Sequence, residues 1–79
     1  MNVYKPGQML MIYDNLIHCR IMPLEWVTRG ITSFDFQVVD YVVPGDILLF
    51  IEHLGKASRV VTPRGIVGWT PTSFLKAVL

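Results

Sequence analysis

The chain has 79 residues, 52% of them hydrophobic and only 16% charged, with a formal net charge of +1. That length allows one domain, and a chain so short hides only about 60% of the surface it exposes when unfolded, so this composition carries more apolar side chains than one small core covers. The single cysteine, Cys19, excludes an internal disulfide, and the apolar runs at residues 9–13 and 47–51 fall far short of the roughly 20 residues of a membrane helix.

In chain order, Lys5-Pro6-Gly7 reads as a turn. Residues 8–13 and 16–22 read as two strands around Asp14-Asn15, a turn-favouring pair, giving an N-terminal hairpin over 8–22. Pro23 closes the second strand and opens an excursion over 23–43, whose first part shows no clear period. Residues 34–38 alternate, with Phe34, Phe36 and Val38 opposite Asp35 and Gln37. The phase then slips to Val39, Tyr41 and Val43 with Asp40 opposite, which predicts a bulge.

Pro44-Gly45-Asp46 is a turn into residues 47–51, a continuously apolar strand suited to burial on both faces. Residues 52–57 read as a loop and 58–62 as a strand. Pro63-Arg64-Gly65 reverses the chain, with Gly65 supplying a positive φ. The strand 66–69 holds Gly68, which marks close packing or a bulge, and Trp69, which is expected in the core. Pro71 stops that strand, Thr72-Ser73 favour one tight helical turn, and Phe74-Leu75 begin a sealing strand. The expected fold is all-β: a small antiparallel barrel with its core over 44–79, an enlarged first loop, and a one-turn 3-10 helix before the last strand.

Laid out this way, residues 42–79 resemble an SH3 domain. Gly65-Ile66-Val67-Gly68-Trp69-Thr70-Pro71-Thr72-Ser73-Phe74-Leu75 is similar to that family's Gly-x-x-Gly-apolar-x-Pro-x-x-aromatic-aliphatic signature, and Val42 to Leu48 to its diverging turn. Met11-Ile12-Tyr13-Asp14-Asn15 stands where the family has Ala-Leu-Tyr-Asp-Tyr, with Asn15 in place of the second aromatic. The resemblance implies a ligand groove lined by Tyr13, Pro71 and Phe74. It also implies a tryptophan opening the strand after residues 52–57, where Ser58 and Arg59 stand instead. Phe74 lacks the hydroxyl of the usual tyrosine, and Glu25, Asp35 or Asp40 would have to meet a ligand arginine. A proline-rich peptide is therefore not the expected ligand.

No catalytic or metal-binding pattern emerges. His18 and Cys19 are strand neighbours that point to opposite faces, so they cannot act as base and nucleophile. Cys19 reads as a small buried residue and His53 as a solvated one, and no cofactor is expected. A non-enzyme in a reducing, cytoplasmic setting follows, since the first residues show neither the basic nor the apolar region of a signal peptide.

Two functions fit. The first is a protein-interaction or assembly module, of the kind found as a phage or bacterial accessory protein. It would dock a partner, or a second copy, through Tyr13, Trp26, Phe34, Pro71 and Phe74. Trp26 serves either as such an anchor or as packing over the barrel's end. The alternative is a nucleic-acid-associated barrel. Residues 1–52 hold six acids against three cations, whereas 53–79 hold Lys56, Arg59, Arg64 and Lys76 with no acid.

Overall fold

The structure, a computed structural model, describes residues 4–32 and 35–78. In chain order the elements are strand β1 (Met9–Ile12), β2 (Cys19–Ile21), helix α1 (Leu24–Arg29), β3 (Asp40–Val42), β4 (Leu48–Leu54), β5 (Ala57–Val61), β6 (Val67–Pro71), a 3-10 turn (Thr72–Phe74) and β7 (Leu75–Ala77). The strands form an antiparallel five-stranded sheet in the order β6-β5-β4-β1-β7 and a two-stranded sheet, β2-β3. Reciprocal backbone bonds between Met22 and Trp69 join the two: each amide donates to the other's carbonyl, at 2.7 and 2.8 Å. No helix among the described residues is long and apolar enough to cross a membrane.

The expected N-terminal hairpin does not form. Asp14-Asn15 do make a turn, with the Leu16 amide donating to the Tyr13 carbonyl, but the two flanking strands part after it. β1 inserts between β4 and β7, with Leu10 opposite Leu48 and Ala77, while β2 pairs with β3. The turn chemistry was local; the partners are set by where Leu10 and Ile12 find a core, and both are fully buried.

The excursion also differs from expectation. Residues 24–29 are helical, held by Trp26 packing under them rather than by any long period. The bulge expected near residue 38 is absent, because one alternation runs unbroken: Phe36, Val38, Asp40 and Val42 are turned inward while Gln37, Val39, Tyr41 and Val43 are exposed. Asp40 occupies an inward position because Arg64, 24 residues on, reaches both of its carboxylate oxygens at 3.0 Å. The register shift lies instead in β4, between Phe50 and Glu52. β4 is also one-sided rather than buried on both faces, since Leu48 and Phe50 are buried whereas Ile47 and Leu49 are exposed. It runs on to Leu54, so the expected loop shrinks to a two-residue turn in which Gly55 takes a φ of 60°.

The C-terminal third follows the sequence closely. Gly65 turns with a φ of 80°, and the 3-10 turn and β7 follow Pro71. β6 is shared by two cores. Leu10, Ile12, Cys19, Ile21, Val42, Leu48, Phe50, Val60 and Leu75 make the larger one, which Thr70 of β6 joins through its bond to Cys19. Trp69, buried as expected, joins Met22, Trp26 and Ala57 in the smaller one beneath α1. Gly68 makes the junction possible. A Cβ there would overlap the Ile21 Cγ2 methyl and come within 3.0 Å of the Met22 carbonyl and the Val39 Cγ2.

The strands at the two ends are sealed by side chains. On β3, Asp40 accepts from the Tyr41 amide, Arg64 donates to the Tyr41 carbonyl, and Asp46 accepts from the Val43 amide. On β7, the Tyr4 hydroxyl donates to the Leu75 carbonyl and the Leu75 amide turns back to Thr72. These bonds occupy part of each outer edge, which limits edge-to-edge pairing.

Two outcomes follow. Gly68→Ala should destabilise the fold by about 1–3 kcal/mol, the range for overpacking a filled site, read as a lowered urea midpoint. Burial by itself raises the Asp40 carboxyl, but bonds from Thr62, Arg64 and the Tyr41 amide outweigh it and hold the group below the usual carboxylate range. Its charge therefore stabilises the fold above the unfolded value of about 3.9, and that contribution fades as pH falls through the depressed folded value. Asp40→Asn should lose stability at neutral pH, with the gap from wild type closing below about pH 4; a gap independent of pH would contradict this.

Candidate protein-docking groove

Pro71 ends β6 and lacks an amide, so the chain leaves the sheet and tightens into the turn Thr72–Phe74. That turn is fastened at its start: the Thr72 amide donates to the Lys56 carbonyl at 2.9 Å, and the Ser58 and Thr72 hydroxyls share a bond of 2.6 Å. At its end, the Tyr13 amide donates to the Phe74 carbonyl at 3.2 Å. Leu75 is consequently buried, and Phe74 is left 38% exposed on a rigid turn.

Phe74 stands where two depressions meet. One, of about 440 Å³, has apolar walls from Met22, Trp26, Ile31, Pro71 and Phe74, with His18 and Arg20 at its polar side. The other, of about 380 Å³, lies between Tyr13, Leu16 and Phe74. The fold thus brings Tyr13, Trp26, Pro71 and Phe74 together along one path. Trp26 is only 5% exposed: it is both core and wall. Phe34 lies outside the described residues. Arg20, Met22 and Ile31 were not singled out from the sequence, since only the folding of α1 against β6 gives them a common cavity.

Cys19 sits at the inner side of the larger depression, 2% exposed, its sulfur sharing a bond of 2.9 Å with the Thr70 hydroxyl. Burial pushes the thiol up, and the Thr70 bond offsets part of that. A protonated, enclosed thiol is a poor nucleophile. His18, just before β2, lines the same depression but is exposed, and its ring stands edge-on to Tyr41 at 5.6 Å.

The four C-terminal cations are dispersed. Lys56 and Arg64 lie in the turns at opposite ends of β5. Arg59 pairs with Glu52 at 3.2 Å, Arg64 with Asp40 at 3.0 Å, and Lys76 with Asp14 at 3.5 Å. Lys76 also lies 5.7 Å from the centre of the Tyr13 ring. Three of the four are therefore engaged by acids from the first two-thirds of the chain, so the charge asymmetry of the sequence is folded back on itself.

A second apolar surface crosses the outer face of the sheet, where Met9, Leu49, Val61 and Val67 stand in register on β1, β4, β5 and β6. Ligand sites are concave and carry a few convergent polar groups. The groove at Phe74 has that form.

The chain matches no protein-family model, and no curated protein sequence is significantly similar to it.

Proposed function

We propose that this chain is a non-enzymatic protein-interaction or assembly module, an SH3-like small barrel that docks a segment of a partner protein in the groove around Phe74. One observation carries the reading. Four residues picked from the sequence as contact candidates, Tyr13, Trp26, Pro71 and Phe74, line two depressions that meet at one exposed ring. Aromatic anchors on a rigid frame are what binding hot spots are made of.

The SH3-like part of the reading draws on the strand order β7-β1-β4-β5-β6 and on the 3-10 turn between β6 and β7. β2, α1 and β3 would then be the enlarged first loop. With the end strands sealed by Asp40, Arg64, Asp46 and Tyr4, a partner docks on side chains rather than by adding a strand. The nucleic-acid alternative has less support, because Arg59, Arg64 and Lys76 already have acidic partners.

The test is selection of binders from a displayed library of random dodecapeptides, followed by titration of the selected peptides. Phe74→Ala should weaken them at least about tenfold, roughly 1.4 kcal/mol, while the unfolding midpoint stays near wild type. Selected peptides that bind Phe74→Ala equally well, or a library that yields none, would overturn the proposal.

A further inference from the structure

We infer that the groove beside Phe74 selects a segment with a large apolar anchor flanked by an acidic side chain. This rests on the docking function proposed above and names the chemistry of its partner.

The walls from Met22, Trp26, Ile31, Pro71 and Phe74 are apolar, and the ionisable groups that line the groove besides the buried Cys19 are His18 and Arg20. No carboxylate among the described residues lines it. Each of the chain's six acids is placed elsewhere. Asp14, Asp40 and Glu52 are held by Lys76, Arg64 and Arg59. Asp46 accepts from the Val43 amide in its own turn. Glu25 lines a different depression, with Pro23, Arg29 and Phe36, and Asp35 is exposed in the segment before β3. Arg20 makes no ion pair among the described residues.

A cation without a counter-charge beside an apolar cavity sets the polarity of what fits there. An arginine in the partner would meet Arg20 and be repelled; an aspartate or glutamate would be met by a planar fork of donors. Arg20 is also well placed to hold a geometry. It lies at the centre of β2, in register with Tyr41 on β3, and not on a loose loop. Glu25, Asp35 and Asp40, the residues that would have to receive a ligand arginine, do not line this groove.

The experiment compares three N-acetylated, C-amidated octapeptides with the same Leu-Phe anchor, flanked by two glutamates, two glutamines or two lysines. Blocked ends leave the flanking side chains as the only source of charge. Binding is followed by NMR on the Trp26 indole. The glutamate peptide should bind about tenfold or more tightly than the glutamine one, and the lysine peptide most weakly. Arg20→Glu should invert that order, and Arg20→Gln should level it; Arg20 is exposed, so both variants keep the fold. Equal binding of all three to wild type, or preference for lysine, would overturn the acidic selectivity while leaving the groove in place. Absence of any binding, with the Trp26 signal unmoved by all three, would overturn the groove and the selectivity together.

Discussion

The reciprocal pair of backbone bonds between Met22 and Trp69 is where the two sheets, one of five strands and one of two, meet backbone to backbone. It sets how they are joined, while Ile21 and Val42 of the smaller sheet pack with Leu10, Leu48 and Val60 of the larger one in a shared core. Three consecutive residues of β6 serve the junction in different ways. Gly68 has no side chain, so Ile21, Met22 and Val39 come against its backbone. Trp69 makes the paired bonds and fills the smaller core with Trp26. Thr70 reaches into the larger core to bond Cys19. A strand buried on both sides in this way tolerates little change, because the interior is packed to the density of a crystal.

The groove is a consequence of the same junction. α1 lies against β6 because Trp26 has Trp69 to pack on, and that placement puts Trp26 and Ile31 opposite Pro71 and Phe74. The path from sequence to site therefore runs through one glycine and one tryptophan. Binding surfaces built on strands and fastened turns hold their geometry better than those on loops, and here Arg20, Trp26, Pro71 and Phe74 come from β2, α1, β6 and the 3-10 turn. The bonds along β3 and at Leu75 of β7 limit the competing mode, extension of the sheet.

The last third of the chain was legible because its signals are local and short-ranged. Gly65 and Pro71 each impose a backbone geometry that needs no distant partner to interpret. The first half was not, for three separate reasons. Asp14-Asn15 announce a turn but not which strands will pair, and β1 finds its neighbours in β4 and β7, far along the chain. A helix of six residues such as α1 is too short to show a period. Asp40 looked outward because it is charged, and its inward place depends on Arg64 across 24 residues. The same limit applied to the groove. Tyr13, Pro71 and Phe74 followed from a resemblance and Trp26 from its chemistry, whereas Arg20 and Met22 were ordinary strand residues until α1 closed over them.

The dependence of the whole on one junction is open to direct measurement by native-state hydrogen exchange. If the Met22–Trp69 bridge belongs to the global fold, both amides exchange only through complete unfolding. Their opening free energies then match that of the Phe50 amide, which donates to the Gln8 carbonyl inside the five-stranded sheet. Met22 and Trp69 amides that exchange through a cheaper local opening, while Phe50 stays protected, would contradict the account.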